Sequence, residues 1–191
     1  MTSVAAAIPW YAGFKAAVFA LLACNTAIFA DLGTLSETLD TAAWLVLLVL
    51  FEFETGGGDR FQQNRLVPLI HAIRLAASAV IGIVAVSYLF QSAWLDAVNS
   101  GLWIAVVVLL ELEVRYPRAV ESHRAWFTVA AATLYTGLAA LVLVWAWREE
   151  WFEAYDALLW LIAFATIEIN MLQVFRGKIR FRAQIAARTL R

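Results

Sequence analysis

The chain predicts an all-α bundle of six transmembrane helices, and three observations carry that prediction. Of 191 residues, 63% are hydrophobic and 15% are charged, against about half and about a quarter in ordinary soluble domains. The apolar residues gather into six runs, each near the roughly 20 residues that a helix needs to cross about 30 Å of hydrocarbon. Little chain remains between the runs, which leaves no room for a soluble domain. This composition excludes a water-soluble enzyme, a disordered chain and a disulfide scaffold. The formal charge of −1 gives no reason to expect a nucleic-acid partner. Cys24 is the only cysteine and cannot form an internal disulfide.

The runs are Tyr11–Ala30, Leu35–Glu54, Val67–Phe90, Ala93–Val114, Trp126–Trp147 and Phe152–Phe175. They are too long for barrel strands, and backbone in lipid must satisfy its own hydrogen bonds, so each is expected to be helical. The first run is expected to be retained, because Met1–Trp10 carries no positive charge and five further spans follow. Pro9 and Trp10 suit entry at the headgroup level. With six spans, one side of the membrane holds Lys15, Arg60, Arg65, Arg74, Arg115, Arg118, Arg124 and the six cations of the tail; of 14 basic residues only Arg148 lies opposite. The positive-inside rule then places both termini in the cytoplasm, with a bacterial inner membrane as the expected location.

The even-numbered spans share a pattern. It reads Asp40, Trp44, Glu52 and Glu54 in the second; Asn99, Trp103, Glu111 and Glu113 in the fourth; Asp156, Trp160, Glu168 and Asn170 in the sixth. The tryptophans lie 59 and then 57 residues apart. Lys15 and Arg74 each precede their Trp by 29 residues, while Ala131 stands at the third equivalent place. Three tandem two-helix hairpins are therefore expected, at about 11–56, 67–116 and 124–175. They form a single domain over residues 1–175, parallel about an axis along the membrane normal, a plan used by some transporters.

The 11 residues between Asp40 and Glu52 cover about 16 Å of helix, less than the hydrocarbon thickness, so some of these acids must lie within the apolar layer. Carboxylates there face a bundle interior or a wet cavity and find partners. Residues two apart point about 200° from each other, so one Glu-x-Glu pair cannot hold an ion by itself. An ion-binding or titrating site would need Glu52, Glu111 and Glu168 to meet, with Glu54, Glu113, Asn170, His71, Lys15 and Arg74 in support. Two readings stay open for these residues. In one, Lys15, Arg74 and loop cations neutralise the acids as buried ion pairs. In the other, the excess of glutamates forms a vestibule for a proton or metal cation.

Asp40, Asn99 and Asp156 open the even helices from the outer face. They are expected to cap free amides and complement the helix dipole; a second acidic ring is the alternative. Ser78-x3-Gly82 and Thr133-x3-Gly137 allow close helix approach, within the chain or between copies. His71 and His123 are read as headgroup-level and solvated side chains. Gly56-Gly57-Gly58 is not a phosphate loop, because no Gly-Lys-Ser/Thr follows. No catalytic motif, Cys/His metal cluster or cofactor signature is visible, so a non-enzymatic role is expected, with a bound cation as the one small ligand envisaged. The basic tail 176–191 should bind anionic lipid. A channel- or transporter-like protein is the first functional expectation. An accessory subunit of a larger membrane complex, or of a homo-oligomer, is the second.

Overall fold

The computed structural model of the chain describes residues 9–56 and 67–166. These form seven helices: α1 (Pro9–Leu32), α2 (Leu35–Gly56), α3 (Val67–Phe90), α4 (Trp94–Arg115), α5 (Pro117–Ser122), α6 (Arg124–Trp147) and α7 (residues 151–166). There is no strand among the described residues. Four segments, Gly13–Leu32, Val67–Phe90, Trp94–Glu113 and Arg124–Trp147, are long and apolar enough to cross a membrane. The chain has the architecture of a helical membrane protein. α2 matches them in length, but Glu37, Asp40, Glu52 and Glu54 give it more charged residues than any of the four. The short α5 lies in the connection between the fourth and fifth runs and was not foreseen in the sequence.

Local chemistry sets the turns. α2 opens with a capping box: the Thr34 amide donates to the Glu37 carboxylate at 2.6 Å, and the Glu37 amide donates to the Thr34 hydroxyl at 3.3 Å. Before it, Gly33 passes so close to α1 that a Cβ would lie 2.7 Å from the Phe29 carbonyl oxygen. α3 and α6 both end in Schellman turns. Ser92 and Glu149 hold positive φ (58° and 64°), while the amides of Ala93 and Glu150 reach back to the carbonyls of Tyr88 and Trp145, each at 3.0 Å.

Each odd span buries one narrow stripe and leaves the rest of its surface apolar and outward. The stripe is Val18, Leu22, Asn25 and Phe29 on α1, and Ala77, Ile81, Val84 and Tyr88 on α3. On α6 it is Leu138, Leu141 and Trp145, with Leu134 packed against the core one turn earlier. Steps of three and four place these residues along one side of a helix. Every α3 residue stands 59 positions after its α1 counterpart, and every α6 residue 57 after that. The opposite faces, with Leu75, Ile83, Val129 and Leu143, are exposed.

α2, α4 and α7 turn inward. Trp44, Trp103, Trp160 and Phe164 meet at the centre, with Trp103 and Phe164 ring centroids 4.5 Å apart and Trp44 6.4 Å from each; Trp160 is also 6.4 Å from Phe164. α2 packs on α1 and α3, and α4 on α3 and α6. α6 and α7 share a cluster of Leu141, Trp145, Ala154 and Ala157. The ring closes where α7 meets α1: Asn25 donates to Asp156 at 2.7 Å, and Phe29 rests on Phe152 with centroids 5.1 Å apart.

Candidate functional site

A pocket lies at the end of the bundle where α2, α4 and α7 begin and α1, α3 and α6 finish. Its cavity is about 50 Å³, room for three or four water-sized groups at about 10–15 Å³ each. The lining falls into layers of three. Phe29, Tyr88 and Trp145 come from the ends of α1, α3 and α6. Glu37, Asp96 and Glu153 stand in the first turns of α2, α4 and α7, Asp40, Asn99 and Asp156 one turn further in, and Trp44, Trp103 and Trp160 one turn deeper again. Residues three and four apart share a helix face, so one inward face of each of these three helices supplies an acid, an Asp or Asn, and an indole. Thr41 and Ala157 complete the wall.

The pocket is acidic, and its lining among the described residues carries no Lys or Arg. Glu37, Asp96 and Glu153 act on one another as like charges, with Asp156 adding to the field at Glu153. Asp40 is 9% exposed. Its Oδ2 accepts from the Ser100 hydroxyl at 3.2 Å and from the Tyr88 hydroxyl at 3.4 Å, the Trp44 indole N–H acts on the same carboxylate, and Oδ1 is buried with no hydrogen bond of ordinary geometry. Asp156 is equally buried and takes the Asn25 amide. Trp44, Trp103 and Trp160 line the pocket's inner end, where they meet Phe164. Among the described residues, no three His, Cys, Asp or Glu side chains are grouped so as to hold a metal ion.

The structure thus brings Asp40, Asn99 and Asp156 together, but not as caps. α2 is capped by Thr34 and Glu37 ahead of Asp40, α4 starts at Trp94 with Ala93 as an N-cap that makes no side-chain bond, and Asp156 lies past the first turn of α7. The capping expectation fails because each helix starts about one turn earlier than the acid or amide. Their side chains are free to face the pocket instead.

At the far end, Glu52 forms an ion pair with Lys15 across α1 and α2. Glu111 pairs with Arg115 one turn along α4 at 2.6 Å. The Arg74 guanidinium sits 5.4 Å from the Phe51 ring centre, and His71 is exposed on α3. Glu113 lies on α4, on the far side of that helix from Glu111. Glu168, Asn170, the Glu54 side chain and the tail 176–191 lie outside the described residues, and so does any meeting of the three glutamates.

Glu37, Asp96 and Glu153 escaped the sequence reading, although they keep the same spacing of 59 and 57 residues as the tryptophans. Acids near a helix start look like dipole partners, which masked the register. Tyr88, Phe29 and Trp145 follow it too, but their residue types differ. Asn25 carried a signal of its own as an amide within an apolar run.

Comparison with protein family models, characterised proteins and solved structures finds no match for this chain.

Proposed function

We propose that this chain is a cation-handling membrane protein, transporter-like rather than enzymatic, and that its cation site is the acidic pocket. One observation carries the reading: among the described residues, five carboxyl side chains and no basic one line a single pocket, in which Asp40 keeps a buried oxygen without a hydrogen bond of ordinary geometry. Buried carboxylates are retained where they meet a partner or a wet path, and a chamber of one sign concentrates ions of the other. The aromatic inner end suits a protein that opens one end at a time.

The proposal includes six spans in three parallel hairpins, with the second and sixth runs crossing as α2 and an extended α7. Supporting the threefold plan, the buried stripes, the Schellman turns and the four pocket layers keep the spacings seen first in the tryptophans. By the distribution of basic residues, the termini face the cytoplasm of a bacterial cell and the pocket faces outward. Glu52, Glu111 and Glu168 then form the opposite end of the same axis, and the tail 176–191 rests on anionic lipid.

Gradient-driven uptake into vesicles containing the purified full chain tests this. Uptake of protons, Na⁺, K⁺ or methylammonium above that of empty vesicles is expected. It should fall at least tenfold when Glu37→Gln, Asp96→Asn and Glu153→Gln are combined. Uptake of none of these cations would leave the second reading, an accessory subunit, which the separate Glu52–Lys15 and Glu111–Arg115 pairs favour.

A further inference from the structure

The geometry points to a small organic monocation, an alkylammonium or guanidinium group, as the occupant of the pocket; this rests on the cation reading above. A hard ion such as Ca²⁺ asks for six to eight oxygens at about 2.3–2.6 Å. The pocket offers no such convergence of carboxylates, since no three His, Cys, Asp or Glu side chains among the described residues are grouped for one metal ion. What it offers instead is π surface. Trp44, Trp103 and Trp160 form the inner wall, with Tyr88 and Trp145 above them. Ring faces attract cations within about 6 Å, most strongly those already stripped of tightly held water, and Trp is the best ring for this.

The polar groups fit the same ligand. Asp40 Oδ1 is buried and makes no hydrogen bond of ordinary geometry, the neighbouring Oδ2 is held by Ser100 and Tyr88, and the Trp44 indole N–H acts on the same carboxylate. An N–H of an ammonium group completes that carboxylate, while its methyl or methylene groups lie on the indoles. Asp156, already bonded to Asn25, contributes charge rather than a free acceptor. Size limits the head group. A cavity of about 50 Å³ admits about three or four non-hydrogen atoms at the volume one water needs, so a longer amine would leave its tail toward the mouth.

Titration of the full chain in lipid nanodiscs, read by tryptophan fluorescence, decides the matter. The probes are methylammonium and guanidinium, compared with Na⁺, K⁺ and Ca²⁺ at fixed ionic strength in a buffer free of amines and phosphate. Saturable change with the organic cations is expected at concentrations at least tenfold below those of the inorganic ones. Asp40→Asn should abolish it. Trp103→Leu should weaken it roughly fivefold and Trp103→Phe less, following the strength of the ring. The wild-type rank order stands even if a variant does not fold. Equal or tighter response to Na⁺, K⁺ or Ca²⁺ overturns the organic-cation inference and keeps the cation site. No response to any cation overturns both.

Discussion

Asp156 and Asn25 show how much a single polar contact can hold in this bundle. Asn25 is 3% exposed and gives its amide to Asp156 at the seam between α1 and α7. Asp156→Ala leaves that amide without its partner, and an unsatisfied buried donor costs about 1–3 kcal/mol. Loss of that size is expected in denaturant-induced unfolding of the detergent-solubilised protein. Asp156→Asn keeps an acceptor oxygen and removes only the formal charge. Its unfolding midpoint should stay closer to wild type than that of the alanine variant, while cation uptake falls. A variant pair with equal stability would show that Asn25 has another partner. The Asp, Trp and Glu positions were legible in the sequence because acids stand out in apolar runs. Which end of the even helices gathers them was not. Glu52 and Glu111 look as anomalous as Asp40 in one dimension; Arg115 stands one turn from Glu111 in the sequence itself, but only packing sets Lys15 beside Glu52.

Among the elements, the two small-residue motifs part company. A Cβ on Gly137 would lie 3.2 Å from Leu102 Cδ1, where α6 closes on α4, while a Cβ on Gly82 meets nothing within 4 Å. Gly137→Leu should therefore destabilise the protein by about 1–3 kcal/mol through overpacking. Gly82→Ala should be neutral or stabilise by up to about 1 kcal/mol, the helix propensity difference. Thermal melts of the two variants side by side check this. Sequence offers the same small-x3-small signal at both sites, because the rotation of a helix about its axis depends on neighbours far along the chain. The start of α2 was legible only in hindsight. Thr34 and Glu37 form a standard box three residues apart, yet the more conspicuous Asp40 drew the capping role. Thr34→Ala should cost about 1 kcal/mol, measurable in the same melts, and leave the pocket charges in place.

At the scale of the molecule, three seams join the outer helices to the inward ones: α3 on α2, α6 on α4, and α1 on α7. The third contact joins the two ends of the described chain and makes a ring, whose axis carries the acids and indoles. The spacing of tryptophans raises the expectation of repetition from sequence alone, because a shared offset is visible without knowing which face is inward. The pocket itself was not visible, since it needs side chains from six helices at one depth, and depth follows from where each helix starts. The most direct test is anomalous diffraction from crystals of the full chain soaked with 2-bromoethylammonium, whose bromine marks the bound cation. We expect a bromine peak inside the chamber bounded by Asp40, Asp156 and the three tryptophans, lost in Asp40→Asn crystals. A peak confined to the far end beside Glu52 and Glu111, or an empty chamber at saturating amine, would contradict it.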